Sequence, residues 1–166
     1  MKQIPESLLN TFRKYDTPTI VNSLELLDSK FRTSCFTTEQ MICVDTSLPP
    51  IVGYARTATI SASSEVDPNT KRDRSLAYYE YVSCGTAPFI SVIQDVDESP
   101  GFGAFWGEVN SNIHNALGVI GVVTNGSVRD LDVLSAGFQV IAGKIGLAHA
   151  YVRIEETGLP VNIFGM

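Results

Sequence analysis

Two carboxylates and one guanidinium frame an apolar stretch in a chain where only 18% of residues are charged: Glu108, and the adjacent pair Arg129-Asp130. Two hard oxygen ligands flanking one buried strand could hold Mg²⁺ or Mn²⁺, directly or through waters. Arg129 beside that cation could face a developing oxyanion, the arrangement that stabilises an enolate. With a helix starting near Glu108, the backbone N–H groups of Val109 and Asn110 could take a carboxylate. Such parts suit a small 2-oxo acid better than a phosphate ester. Each residue also has an ordinary structural reading. Ser127-x-x-Asp130 fits a capping box, an acid at Glu108 is favoured by the helix macrodipole, and Arg129 fits a surface position. Spacing alone leaves both readings open.

The elements that must position these residues can be read from periodicity. Gly107–Leu117 carries Val109, Ile113, Ala116 and Leu117 at helical spacing, and Gly118 stops it. Gly118–Thr124 is a buried strand of parallel type, Asn125-Gly126 a turn, Val128–Ala136 a second helix, and Phe138–Ala142 another strand. Helix and strand alternating in this way predict an α/β fold, in which ligands gather outside the carboxyl ends of strands.

Upstream, Glu6–Tyr15 and a second helix, with Thr17 as its expected N-cap and Pro18 at its first position, form a helical flank over residues 1–30. MICVD at Met41–Asp45 and Ile51–Ile60 are strands, Ser61–Lys71 a polar loop, Arg74–Ser83 a helix and Phe89–Val96 a strand buried on both faces. Asp95, Asp97 and Glu98 follow, an acid cluster that reads as a solvated strand end or, less commonly, a metal site. AHAYVRIEE and LPVNIF close the chain as two strands. His114 falls on the polar side of its helix and His149 begins a strand; neither is expected to act as a base. Cys84 is a helix-end packing residue.

At 166 residues and 44% hydrophobic content the chain predicts a single folded domain. Net charge of −6 argues against a nucleic-acid groove, which needs a basic stripe. No apolar run approaches the ~18 residues of a membrane helix, and the N-terminal stretch has no signal-peptide core. Three cysteines without a CxxC pair favour reduced thiols. A cytoplasmic location is expected.

The sequence resembles the RraA-like family, which includes 4-hydroxy-4-methyl-2-oxoglutarate/4-carboxy-4-hydroxy-2-oxoadipate aldolases and regulators of ribonuclease activity. The family's aldolase signature is an acid, twenty intervening residues, then Arg-Asp. Glu108, the segment Val109–Val128, and Arg129-Asp130 reproduce it. DTPTIVNSLE at Asp16–Glu25, VGYARTATI at Val52–Ile60, GVVTNGSVRDLD at Gly121–Asp132 and AHAYV at Ala148–Val152 also match. The resemblance implies a β/β/α swivelling-domain sandwich and a homo-oligomer, trimer or hexamer. It implies that Asp130 ligates Mg²⁺ or Mn²⁺, Glu108 orients a water on it, Arg129 stabilises a pyruvate enolate, and the amides after Glu108 hold the pyruvate carboxylate.

Two departures accompany the match. Asn125-Gly126 stands where many members have Asp-Gly, and the chain ends at Met166, before the family's usual C-terminal segment. A truncated paralogue or fragment is therefore one expectation. The function expected is a metal-dependent lyase that releases pyruvate by retro-aldol cleavage or oxaloacetate decarboxylation. The alternative is a non-catalytic regulator that binds an RNA-degrading enzyme. Methyl transfer to a quinone, an older label in the family, finds no nucleotide-binding glycine loop here.

Overall fold

β-Branched residues crowd two stretches, around Ile90, Val92 and Ile93 and again from Val119 to Thr124, and favour extended backbone there. A computed structural model describes residues 3–166 and places both stretches at the centre of one seven-stranded sheet. In chain order the elements are α1 (Glu6–Phe12), α2 (Thr17–Leu27), β1 (Ile42–Cys43), β2 (Tyr54–Ser61), α3 (Pro68–Ser83), β3 (Phe89–Asp95), β4 (Ala104–Trp106), α4 (Glu108–Ala116), β5 (Val119–Val128), β6 (Gln139–Ile145) and β7 (Arg153–Thr157). Two 3₁₀ turns, Ser29–Arg32 and Leu131–Val133, complete them.

The strand order is β1-β6-β5-β3-β2-β7, with β4 paired to β5 off that path. β2, β3, β5 and β6 run parallel, as does β4 beside β5, while β1 and β7 are antiparallel edges. The fold is therefore mixed α/β, as the periodicity predicted. Its core joins Tyr78 and Val82 of α3 to Ile93, Val122, Trp106 and Phe138. Fully burying such side chains stabilises the fold by roughly 1.5–3 kcal/mol each. Gly107 follows β4 and Arg129 follows β5 directly. Both thus arrive at the carboxyl ends of neighbouring parallel strands.

Several local expectations are corrected. The helix expected over Val128–Ala136 is absent; β5 runs on to Val128, followed by one 3₁₀ turn. Pairing decides this: Ser127 and Val128 lie opposite Ala104 and Trp106 of β4 and Lys144 and Ile145 of β6. The expected Asn125-Gly126 turn lies inside β5, where the register to β6 shifts between Thr124 and Ser127. There the Asn125 carboxamide takes over from the ladder, accepting from the Asp95 N–H at 2.7 Å and donating to the Asp95 carbonyl at 3.0 Å. Gly143 permits the close approach, since an added Cβ would stand 2.4 Å from the Asn125 carbonyl oxygen.

α3 begins six residues earlier than its apolar pattern indicates, inside the expected Ser61–Lys71 loop, because Asp67 caps it through the Thr70 N–H at 2.9 Å and Pro68 opens it. Asp16, not Thr17, caps α2 by accepting from the Thr19 N–H. β3 alternates buried and half-buried residues rather than burying both faces alike. LPVNIF forms no strand; Ile163 and Phe164 are buried in an irregular segment whose Phe164 carbonyl accepts from the N–H groups of Thr38 and Glu39. No helix among the described residues is long and apolar enough to cross a membrane.

Candidate functional site

α4 starts at Glu108 without a side-chain cap from its N-cap residue, Gly107. Its first-turn N–H groups therefore need acceptors from elsewhere. Asp130 supplies one: its Oδ2 lies 3.4 Å from the Glu108 nitrogen. The sheet brings the two together. The Arg129 N–H donates to the Trp106 carbonyl at 2.9 Å, which draws the chain after β5 against the start of α4. Asp130 then adopts a left-handed backbone, φ 56°, a conformation that aspartate tolerates better than most residues. Gly107 has extended backbone, so its role is steric. A Cβ there would stand 2.6 Å from Asp130 Oδ2 and 3.2 Å from Arg129 Cγ.

Arg129 Nε lies 3.4 Å from the same Asp130 oxygen, and both side chains are about one-third exposed (36% and 34%). Ala104, Phe105, Gly107, Val109, Asn110, Arg129, Asp130, His149 and Val152 together line a notch of about 90 Å³. Four of the five residues singled out from sequence, Val109, Asn110, Arg129 and Asp130, thus meet in one small cavity. Glu108 is exposed and reaches the group through its backbone N–H; its side chain does not line the notch. The capping-box reading of Asp130 is overturned, because no helix follows it and its side chain makes no cap bond to the following turn. It caps α4 instead.

With a single carboxylate in the lining, the notch would suit only a cation that keeps most of its own water. No group of three or more His, Cys, Asp or Glu side chains is arranged to hold a metal among the described residues. Asp130 is the one carboxylate in the lining, and the exposed Glu108 would have to turn inward to add a second; one or two carboxylates are the protein share usual for Mg²⁺. The cradle that only Gly107 leaves open for the Asp130 carboxylate is consistent with that use. Asp95, Asp97 and Glu98 form no such site. Buried Asp95 accepts from the N–H groups of Asp97 (3.0 Å) and Gly101 (2.7 Å), and burial raises its pKa. Asp97 accepts from Ser61, Ala62 and Ser63; partial burial opposes its ionisation, but these hydrogen bonds hold its pKa below the ordinary value. The pair anchors the loop that feeds β4.

Both histidines depart from expectation. His114 is fully buried, not on a polar face, with Trp106, Phe105, Tyr78 and Tyr79 around it. Burial pushes its pKa down to about 4. Its Nδ1 lies 2.6 Å from the Asn110 carbonyl, which can only accept, so the ring proton sits on Nδ1. Nε2 then accepts from the Tyr78 hydroxyl at 2.9 Å. His149 lies in a turn ahead of β7 and lines the notch, a placement that sequence reading missed. Nothing local marked it: the room comes from distant Gly103, where an added Cβ would meet the His149 carbonyl at 2.6 Å.

The RraA-like family, described as Aldolase/RraA, matches residues 17–166. No curated protein matches the sequence. Among solved structures, an uncharacterized protein from Pseudomonas syringae pv. tomato is 17% identical with a TM-score of 0.72, covering 99% of this chain and 70% of that one. Streptomyces coelicolor RraAS2, described as an unusual member of the RNase ES inhibitor RraA protein family, is 18% identical with a TM-score of 0.70, covering 99% and 77%. The RNA-processing inhibitor RraA from Thermus thermophilis is 13% identical with a TM-score of 0.52, covering 88% and 80%. At these identities the structures bear on fold alone, whereas the family match spans the sheet and every residue of the notch: the chain belongs to the RraA-like (Aldolase/RraA) family.

Proposed function

We propose that this chain is a divalent-metal-dependent lyase that cleaves a carbon–carbon bond in small 2-oxo acids and releases pyruvate. The observation that carries the reading is the Asp130 carboxylate, held against the start of α4 by a contact that only Gly107 allows. Asp130 would hold Mg²⁺ or Mn²⁺, with Glu108 at the rim orienting water. The bound cation would polarise the 2-oxo group of the substrate. The first-turn amides of Val109 and Asn110, both in the notch lining, would take the adjacent carboxylate. As the bond breaks, its electron pair passes onto the 2-oxo oxygen and gives the pyruvate enolate. Arg129 would stabilise that negative charge. In the retro-aldol case the 4-hydroxyl proton would pass to the water that Glu108 orients, leaving a carbonyl compound; in the decarboxylation the carboxylate leaves as CO₂, and in both, protonation of the enolate carbon by solvent completes pyruvate.

Val109 is 66% exposed in the notch wall, and Leu131 and Val133, just past Asp130, are 36% and 52% exposed. This apolar rim supports a homo-oligomer, trimer or hexamer, assembled beside the site. Following pyruvate release from oxaloacetate with Mg²⁺ or Mn²⁺ tests the reading. Metal-dependent turnover that disappears in Asp130→Ala is expected; no turnover, or turnover untouched by that change, overturns it.

One observation favours the alternative, a regulator that binds an RNA-degrading enzyme. α2 buries none of its residues and leaves Leu26 and Leu27 90% and 81% exposed, a surface available to a protein partner. Capture of an RNase or helicase by wild type and Asp130→Ala alike, together with no lyase activity, is the result that would establish it.

A further inference from the structure

Asn110 is held at three atoms. Its Nδ2 donates to the Phe105 carbonyl at 2.5 Å, its Oδ1 accepts from the Tyr79 hydroxyl at 2.9 Å, and its own carbonyl accepts from His114 Nδ1 at 2.6 Å. Because the Phe105 carbonyl can only accept, the carboxamide cannot be turned over: nitrogen faces Phe105 and oxygen faces Tyr79. The Tyr79 hydroxyl must then donate, and its burial raises its pKa, which keeps the proton in place at neutral pH. One N–H of the planar amide remains, on a residue that lines the notch beside Arg129 and Asp130. A surface asparagine needs no such restraint. Two fixed bonds on the carboxamide of one wall residue are the mark of a preorganised donor, whose affinity does not have to offset the ordering of a free side chain.

We propose that the Asn110 side chain is a specificity-determining residue of the notch, presenting its free N–H to a carboxylate oxygen of a small 2-oxo acid. Tyr79 is its positioning residue, acting through the Asn110 carboxamide without touching the ligand, while His114 bonds only the Asn110 main-chain carbonyl. This rests on the lyase reading of the site and adds a side-chain contact to the two backbone amides. Main-chain and side-chain donors on adjacent atoms of one helix start favour a planar, two-oxygen acceptor. A ligand carrying a neutral amide there leaves the fixed donor facing another donor, a mismatch that polar sites reject strongly.

The test is calorimetric binding of oxalate, and of pyruvamide, which carries a neutral amide where a 2-oxo acid has its carboxylate, to the full chain with Mn²⁺, alongside oxaloacetate kinetics and thermal melting. Wild type is expected to prefer oxalate. Asn110→Asp, close in size but without the donor, and Asn110→Ala are expected to weaken oxalate binding by about tenfold or more. Tyr79→Phe removes only the hydroxyl; it is expected to weaken oxalate several-fold, raise KM more than it lowers kcat, and narrow the oxalate-to-pyruvamide preference. A purely structural Tyr79 would lower the melting temperature and leave that preference unchanged. Oxalate affinity and preference equal to wild type in Asn110→Ala and Tyr79→Phe overturn this assignment while wild-type turnover keeps the lyase reading. Absence of both turnover and oxalate binding in the wild type overturns the two together.

Discussion

Asp130 Oδ2 sits 3.4 Å from the backbone nitrogen of Glu108, across 22 positions of sequence. The acid–twenty–Arg-Asp spacing is thus the length of one α4–β5 excursion, out along the helix and back through the sheet. Its end residues meet because β4 and β5 are parallel neighbours. The contact also explains Gly107. Replacing it with alanine puts a methyl 2.6 Å from that carboxylate oxygen. Gly107→Ala is expected to keep the fold, to destabilise it by about 1–3 kcal/mol through overpacking, and to weaken Mn²⁺ binding markedly. Electron paramagnetic resonance titration of Mn²⁺ against wild type and variant measures this. Equal affinity in both would show that the cation does not depend on where Gly107 lets Asp130 sit.

Arg129 is proposed to act on charge that develops only as the bond breaks. Arg129→Lys keeps the positive charge but loses the planar fork and the Nε that faces Asp130. The expected outcome is a loss of about 10²-fold in kcat, in the range seen when one oxyanion donor is removed, with a much smaller change in KM. A change confined to KM would assign Arg129 to ground-state binding instead.

His114 makes stability depend on pH. Folding lowers its pKa from 6.5 to about 4, because the buried ring resists the charged form. Between those values the unfolded chain binds a proton that the folded chain excludes. Its contribution is therefore fully present above about pH 6.5 and falls as pH drops toward 4, by roughly 3 kcal/mol over the window. Urea denaturation of wild type and His114→Phe from pH 7 to pH 4.5 should show a steeper acid loss in the wild type. The comparison of slopes matters, since Asp97, with its lowered pKa, loses stability on acidification in both proteins, and Asp95, with its raised pKa, acts oppositely. Parallel slopes would mean that His114 takes up a proton in the folded state as readily as in the unfolded one.

The sheet was legible because its parallel strands carry β-branched runs that nothing local contradicts. The segment after β5 was not. Val128–Ala136 has helical spacing and Ser127-x-x-Asp130 has a cap pattern, yet Ser127 and Val128 are paired on both sides, by β4 and by β6. Ladder bonds from two neighbours outweigh a one-turn local preference, and nothing in the sequence marks Ala104–Trp106 as the extra strand that supplies one of them. The notch was legible at Arg129 and Asp130, which stand out in a chain poor in charge, whereas Glu108, singled out with them, keeps its side chain outside the lining. His114 was misplaced because the helical pattern set it beside Asn110, while the aromatic residues that bury it come from α3 and β4. His149 was missed because the turn that carries it into the notch is fixed by a long-range bond, the Ala104 N–H to the Ala148 carbonyl at 2.9 Å.

Glu108 separates two ways in which the notch could use its acids. Its backbone N–H meets Asp130, but its carboxylate is exposed and lies outside the lining. A direct ligand would lose cation affinity when its charge is removed; a group that only orients water would not. Glu108→Gln keeps the size and polarity and sits in a first helical turn, where losing an exposed acid changes stability by about 0.3–1 kcal/mol. Mn²⁺ affinity close to wild type, with turnover lowered by about 10²-fold or more, is the outcome expected for a water-orienting residue. Asp130→Asn should do the reverse and lose the cation first. Parallel losses of Mn²⁺ in both variants would make Glu108 a second ligand, with its side chain swung inward when the cation is bound.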